Sequence, residues 1–347
     1  MHDSLLFILK KREGYWGGYA TCLSSGLRNS VSFVVDMLTA LGIQARMVEV
    51  EDNNAIDREV TAAKPSHVII EAFWVVPEKF DELQALHPDV RWIVRNHSEV
   101  PFLANEGIAF GWIADYLRRG VEVMCNAPRA LTDVRGVALA YGVSDRLVTY
   151  GPNYYPIPCP MPPDPAEASD TDTVRIGCFG AIRPLKNTMA QALAAVAAAR
   201  ARRRRLEFHV NASRLEGNGD PILKNLRQMF AALPTHRLVE HDWLPHAAFC
   251  ALVRTMDIVL QVSFSETFNI VAADAAAAGV PVVVSPEVPW IGDYAHADPC
   301  SVPSITQAIL RLLDCPDLAV RLHRQRRDLA VYDRKTERVW LERFKAA

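Results

Sequence analysis

Paired cysteines, long apolar runs and an excess of charge of either sign are all missing from this chain of 347 residues. Each absence closes off a class of protein. Lys and Arg number 38 against 40 Asp and Glu, a formal net charge of -2, so no global field draws in nucleic acid or an anionic membrane. A local basic patch remains compatible with that total. No stretch approaches the roughly 18 apolar residues that would cross a bilayer. The opening MHDSLLFILKKREG carries an apolar run only over 5–9, with Asp3 before it, unlike a secretory leader. The seven cysteines are scattered and contain no CxxC pair, so neither a disulfide framework nor a zinc site is indicated. Reduced thiols, a cytoplasmic location and no bound metal are the resulting expectations.

What is present suits two globular cores. Hydrophobic residues make up 50% and charged residues 22%. Apolar runs over 5–9, 45–50, 67–74, 90–95 and 121–125 read as strands. Helical spacing lies between them, as at 31–41 (Ser30 the N-cap and Gly42 the stop), 78–86 and 109–119. Such alternation implies parallel strands with right-handed crossovers. Residues 151–165 contain seven prolines, which cannot form a helix or a central strand and suit a stiff joint. The alternation then restarts, with strands over 174–179, 206–210, 236–240, 257–262 and 280–285 and helices between them. Helices over 304–313 and 317–331 close this half. The expected layout is an N-terminal domain over 1–150, a linker over 151–173, a C-terminal domain over 174–330, and a tail over 331–347 packing back on the first domain. Both domains are α/β and doubly wound, and two of them facing each other would make an interdomain cleft.

The most informative segment is the run DIVLQVSFSETFNIVAADAAAAGVPVVVS over 257–285. A buried strand ends near Val262, a polar turn follows, and a helix starts near Phe268. Backbone N–H groups at such a helix start, here Thr267, Phe268 and Asn269, can hold a diphosphate. Glu266 and Asp274 repel phosphate, but as carboxylates they can accept hydrogen bonds from sugar hydroxyls.

These residues carry a family resemblance. SETFNIVAADAAAAGVPVVVS resembles the donor-binding signature of retaining GT-B glycosyltransferases of the GT4 and glycogen-synthase type, the glycosyl transferases of group 1. The family pattern has two acidic residues bracketing seven others, then a small-residue helix and a Gly-Val-Pro-Val strand. Here they are Glu266, Asp274 and the 279–282 segment; the family usually has Glu where this chain has Asp274. IGCFGAIRPLKN over 176–187 is similar to the family's diphosphate-holding loop. Lys186 falls on its Lys position, but Ala181 occupies its Arg position. Either Arg183 supplies that charge or Lys186 acts alone. The N-terminal match is looser: Gly17 and Gly18 sit where a glycine-rich loop meets the donor phosphates, His97 follows a strand as the family's histidine near the transferred sugar does, and 148–153 resembles the strand into Pro-Asn-Gly.

The resemblance implies a GT-B fold and transfer of a sugar from a nucleotide-diphosphate donor, UDP- or GDP-linked, with retention. It implies no metal, with His97 and Glu266 as catalytic residues. The donor residues would be Gly17, Gly18, Arg183, Lys186, Glu266, Thr267, Phe268, Asn269 and Asp274. The acceptor would be a glycan or lipid, or a hydroxymethylated DNA base touched by the arginine clusters at 202–205 and 321–327. Those clusters read equally as solvated helix ends and faces. An epimerase of the same fold and a non-catalytic nucleotide- or carbohydrate-binding protein are the alternatives. Trp112, Trp243 and Trp290 are candidates to line the cleft. The remaining histidines, His246 among them, read as structural.

Overall fold

The computed structural model describes residues 3–11, 26–157 and 172–344. Gly17, Gly18 and most of the proline-rich joint lie outside the described residues. The chain divides into two units, Met1–Pro156 with Asp333–Ala347, and Ile157–Tyr332.

The first unit runs β1 (Ser4–Lys10), α1 (Gly26–Ala40), β2 (Gln44–Val50), α2 (Ala55–Ala63), β3 (His67–Glu71), α3 (Lys79–Leu86), β4 (Arg91–Asn96), α4 (Val100–Leu103), α5 (Ala109–Arg118), β5 (Glu122–Cys125), α6 (Pro128–Ala140) and β6 (Val148–Tyr150). Its strands form one parallel sheet in the order β2-β1-β3-β4-β5-β6. Side chains alternate across a strand, and β1 shows why this sheet is covered on both faces. Leu6 and Ile8 enter a core with Val68, Val94, Phe80 and Tyr116. Leu5, Phe7 and Leu9 point the other way, into a core with Val31, Val34 and Leu38 of α1.

The second unit runs β7 (Thr173–Gly177), α7 (Thr188–Ala201), β8 (Arg205–Asn211), α8 (Gly219–Ala231), β9 (His236–His241), α9 (His246–Val253), β10 (Ile258–Gln261), α10 (Ile270–Ala278), β11 (Val282–Val284), α11 (Val302–Leu313) and α12 (Leu318–Phe344). Its sheet is parallel, in the order β11-β10-β7-β8-β9. The alanine-rich faces of α7 and α10 are buried, and small side chains let these helices lie close to the strands. No helix among the described residues is long and apolar enough to cross a membrane.

Four expectations need correction. The closing helix does not stop at residue 331 to leave a tail. No glycine or proline interrupts 318–344, and α12 continues through it, beginning in the second unit and ending in the first. Its end is held there by burial: Trp340 is 0% exposed in the core with Phe7, and its Nε1 donates to the Pro152 carbonyl at 3.0 Å. Ser30 is not an N-cap but a buried residue inside α1. The strand expected over 67–74 ends at Glu71, because Ala72 turns to φ 69° while its N–H bonds the Arg95 carbonyl at 2.9 Å. The helix expected from Phe268 starts at Ile270, behind the cap Asn269.

One carboxylate makes the first unit sensitive to pH. Asp333, in α12, is 6% exposed and accepts the Tyr155 N–H at 3.1 Å. Burial pushes its carboxyl from 3.8 up to about 7, with the Tyr155 bond opposing and Glu337 adding to the rise. The folded chain therefore holds a proton that the unfolded chain releases. Stability falls as pH rises from about 4 to about 7 and levels off above that. Asp333→Asn removes this titration and is expected to stabilise the protein at pH 8, by at most about 4 kcal/mol. Chemical denaturation of both proteins at pH 5 and pH 8 checks it: an Asn variant that follows the wild-type pH dependence would refute the assignment.

Candidate active site

The second unit builds its polar centre from two loops. The first follows β7. Gly180 has φ 109°, which a residue with a Cβ rarely adopts, and its N–H donates to Asn211 Oδ1 at 2.9 Å. The chain then makes a single turn over Pro184–Lys186 and reaches Asn187 in the left-handed conformation at φ 54°. The second loop follows β10, from Val262 to Asn269. Three polar groups fasten the two together. Asn187 Nδ2 donates to the Val262 carbonyl at 3.1 Å and the Pro299 carbonyl at 2.8 Å. Gln191, 1% exposed, donates to the Lys186 carbonyl and accepts the Val262 N–H, both at 2.8 Å. The Phe264 N–H bonds the Leu185 carbonyl at 2.9 Å.

This stitching sets Lys186 against Glu266. The ammonium and the carboxylate form an ion pair, with side chains 15% and 9% exposed. At that burial the pair is screened little, so a charge brought beside it is felt strongly. Asn269 is held by its own bonds. Its Oδ1 accepts the Ala272 N–H at 2.9 Å and caps α10, and its Nδ2 donates to Gln261 Oε1 at 3.0 Å. Gln261 in turn donates to the Phe179 carbonyl at 2.9 Å. Phe268 turns its ring into the core, and its carbonyl accepts Trp290 Nε1–H at 2.7 Å. Trp290 is thus 5% exposed and part of that core. Thr267 is buried as well.

Arg183 is placed differently from Lys186. Its guanidinium pairs with Glu216 at 3.2 Å, and Glu216 also takes Arg214 at 2.7 Å. The position Arg183 would have to fill, that of Ala181, therefore lies next to a cation already matched by a carboxylate.

Asp274 sits on α10, 3% exposed, and faces α9. His246 Nε2 lies 2.7 Å from its Oδ1, and Cys250 Sγ lies 3.4 Å from His246 Nε2 and 3.8 Å from Asp274 Oδ1. The hydrogen bond to Asp274, then that to Cys250, pushes the imidazole up to about 10, burial opposing. His246 therefore does belong to a constellation, and the three residues form a group with metal-ligand spacing, contrary to the expectation of none. The signal was the four-residue separation of His246 and Cys250, which puts both on one face of a helix.

In the first unit, His97 stands just after β4. Its Nε2 hydrogen-bonds Glu71, at the end of β3, and its Nδ1 lies 3.3 Å from Asn126 Nδ2, just after β5. Three adjacent strands thus deliver Glu71, His97 and Asn126 at their carboxyl ends, where open parallel sheets bind ligands. Burial drives the imidazole toward its neutral form and outweighs the pull of Glu71. The neutral ring donates from Nε2 to the carboxylate and accepts at Nδ1. Behind it, Arg95 is 0% exposed. It donates to Glu71 Oε1 at 3.4 Å, the carbonyls of Gly151 at 3.1 Å and Pro152 at 3.0 Å, and Asn153 Oδ1 at 2.7 Å. A Cβ at Gly151 would sit 2.2 Å from Met124 Sδ, so a larger residue there would have to displace the buried Met124 side chain. Glu71, Asn126, Gln191 and Gln261 escaped the sequence reading. For Glu71, Asn126 and Gln261 the signal was a polar residue at the end of an apolar run, as Glu71 in HVIIE and Gln261 in IVLQ, whereas Gln191 lies inside α7 with no such mark.

The comparisons with known proteins agree with this layout. Residues 173–315 match the family described as Glycosyl transferases group 1. No curated protein matches the chain at a significant level. Among solved structures it is similar to an alpha,alpha-trehalose-phosphate synthase (UDP-forming) from Burkholderia vietnamiensis, with TM-score 0.70 and 12% identity over 99% of this chain and 97% of that one. It is similar to sucrose-phosphate synthase from Thermosynechococcus elongatus, with TM-score 0.71 and 15% identity over 99% and 100%. It is also similar to the N-terminal domain of trehalose-6-phosphate phosphatase from Candida albicans, with TM-score 0.73 and 9% identity over 99% and 96%. The chain has the GT-B fold of two parallel-sheet Rossmann-like domains, and its match to the glycosyl transferases group 1 family lies in the second of them.

Proposed function

We propose that the protein transfers a sugar from a UDP-sugar to an acceptor hydroxyl with retention of configuration. The observation that carries this is the partly buried Lys186–Glu266 pair at the junction of the β7 and β10 loops, inside the matched segment. A leaving diphosphate gains negative charge in the transition state, and a fixed, partly desolvated ammonium is suited to stabilising it. Lys186 takes that role and Glu266 orients the sugar through its hydroxyls. The backbone N–H groups of Thr267, Phe268 and Asn269, beside the start of α10, hold the distal phosphate. Asp274 accepts a ribose hydroxyl. Arg183, tied to Glu216, assists without being the main cation.

In this reading the bond from the sugar's anomeric carbon to the phosphate oxygen breaks as the acceptor oxygen attacks the same face. The acceptor's proton passes to the departing phosphate. His97 is neutral with both ring nitrogens engaged, so it serves as a hydrogen-bonding group and not as the base. UDP is preferred as the nucleotide because a fold relative is a UDP-forming synthase. A glycan or lipid acceptor is favoured over a DNA base, because several arginines of the two clusters have partners within the chain. Arg202 pairs with Asp314, Arg204 donates to the Thr173 carbonyl, Arg321 to the Tyr294 carbonyl and Arg326 to the Ala277 carbonyl.

The test is a thermal-shift panel of nucleotides and nucleotide sugars, followed by assay of nucleotide release and of product anomer by NMR. A saturating UDP-sugar, at about 100 times its Kd, should stabilise the protein by roughly 2.7 kcal/mol. It should also yield a product of unchanged anomeric configuration. Failure of every nucleotide to bind, or an inverted product, would sink the reading.

A further inference from the structure

We propose that His246 Nε2, Cys250 Sγ and Asp274 Oδ1 form a binding site for a divalent transition-metal ion of the zinc class. The proposal rests on the geometry of α9 and α10 and uses Asp274, the carboxylate that the glycosyl-transfer reading gives to a ribose hydroxyl.

Two of the ligands come from one helix face, four residues apart, and the third projects from the neighbouring helix. A tetrahedral zinc ion with Zn–N and Zn–O near 2.0–2.2 Å and Zn–S near 2.3 Å sets its ligand atoms about 3.4 Å (N to O) and about 3.6 Å (N to S and O to S) apart. The structure has 2.7 Å between His246 and Asp274, 3.4 Å between His246 and Cys250, and 3.8 Å between Cys250 and Asp274. Two of the three separations already fit to within about 0.2 Å of that geometry. The third is short because a proton now joins imidazole and carboxylate. An ion taking that proton's place would open it by about 0.7 Å, a rotamer-scale adjustment.

The donor set chooses the ion. One nitrogen, one thiolate sulfur and one carboxylate oxygen suit a borderline-soft cation, whereas Mg²⁺ and Ca²⁺ take oxygen ligands. Exposure supplies the entry path. Asp274 is 3% exposed and anchored, while His246 and Cys250 are partly exposed. On binding, the Nε2–H and Sγ–H protons leave to solvent, so two protons are released for each ion.

The experiment titrates the chelator-treated full chain with Co²⁺ and then Zn²⁺. The expected result is one equivalent of Co²⁺ with a near-ultraviolet thiolate-to-cobalt band, bleached by Zn²⁺. The band disappears in Cys250→Ser and persists in Cys300→Ser, an exposed thiol elsewhere. Affinity in His246→Gln falls by more than the roughly 10–100-fold that loss of an outer partner costs. No band, or a band that survives Cys250→Ser, overturns the site. Should Cys250→Ser fail to fold, peptide mass spectrometry of the wild type decides instead: Zn²⁺ must shield Cys250 from iodoacetamide, and unchanged alkylation overturns the proposal. Donor turnover is tested separately, through Lys186.

Discussion

Lys186→Ala is expected to lower kcat/KM for sugar transfer by about 10²–10³-fold, the usual effect of removing one fixed group that stabilises developing negative charge. A second effect must be separated from it. The variant strands Glu266, whose side chain is only 9% exposed, and should lose about 1–3 kcal/mol of stability. The double variant Lys186→Ala/Glu266→Ala resolves the two. If the pair were only structural, removing both partners would restore stability and activity together. If the pair serves the donor, stability returns while activity stays low, because the diphosphate still lacks its cation and the sugar lacks its Glu266 contact. Steady-state kinetics with the UDP-sugar identified by thermal shift, beside urea denaturation of all three variants, gives the answer. A double variant with wild-type kcat/KM would remove Lys186 from the mechanism.

Arg95→Met should be the most destabilising conservative-volume change in the first unit. The guanidinium satisfies Glu71, two backbone carbonyls and Asn153 at once, and lies 5.4 Å over the Trp340 ring. Removing it leaves the fully buried Glu71 without its main cation, a change that typically costs about 3–5 kcal/mol. The melting temperature should fall by roughly 10 °C or more. The pH dependence supplies a sharper check. Burial alone would push Glu71 up, but Arg95 and His97 together hold it below its ordinary 4.5. The stabilisation is therefore present above 4.5 and lost as pH falls through the lower folded value. The gap between wild type and Arg95→Met should narrow in acid. A variant within about 1 kcal/mol of wild type at pH 7 would show that the network does not hold β3, β4 and α12 together.

The two effects belong to different parts of the chain for a physical reason. In the second unit a few neutral amides, Asn187, Gln191, Gln261 and Asn269, fix the loops, so the charged pair is free to respond to a ligand. In the first unit the charges themselves are the fasteners, and His97 inherits its orientation from Glu71 and Asn126.

The sequence by itself determined the architecture. Alternating apolar runs and helical spacing placed ten of the eleven strands of the described residues, and the family resemblance supplied β6, because a strand buried on both faces must be apolar throughout and period is a local property. Local pattern also marked Lys186 and Glu266, since each lies in a loop whose neighbours are themselves distinctive. It missed α2, α4 and α6, and it stopped α12 too early, because amphipathic segments without strong caps declare themselves only through what they pack against. Tertiary structure alone decided the partners. Residues 80 apart became the Lys186–Glu266 pair, Glu71 reached His97 across neighbouring strands, and Asp274 turned from a lone helix carboxylate into the third member of a group with His246 and Cys250. Ion pairs and coordination depend on distances of a few ångströms between elements far apart in the chain. Those distances are set by how helices and sheets stack, which no local pattern of residues encodes.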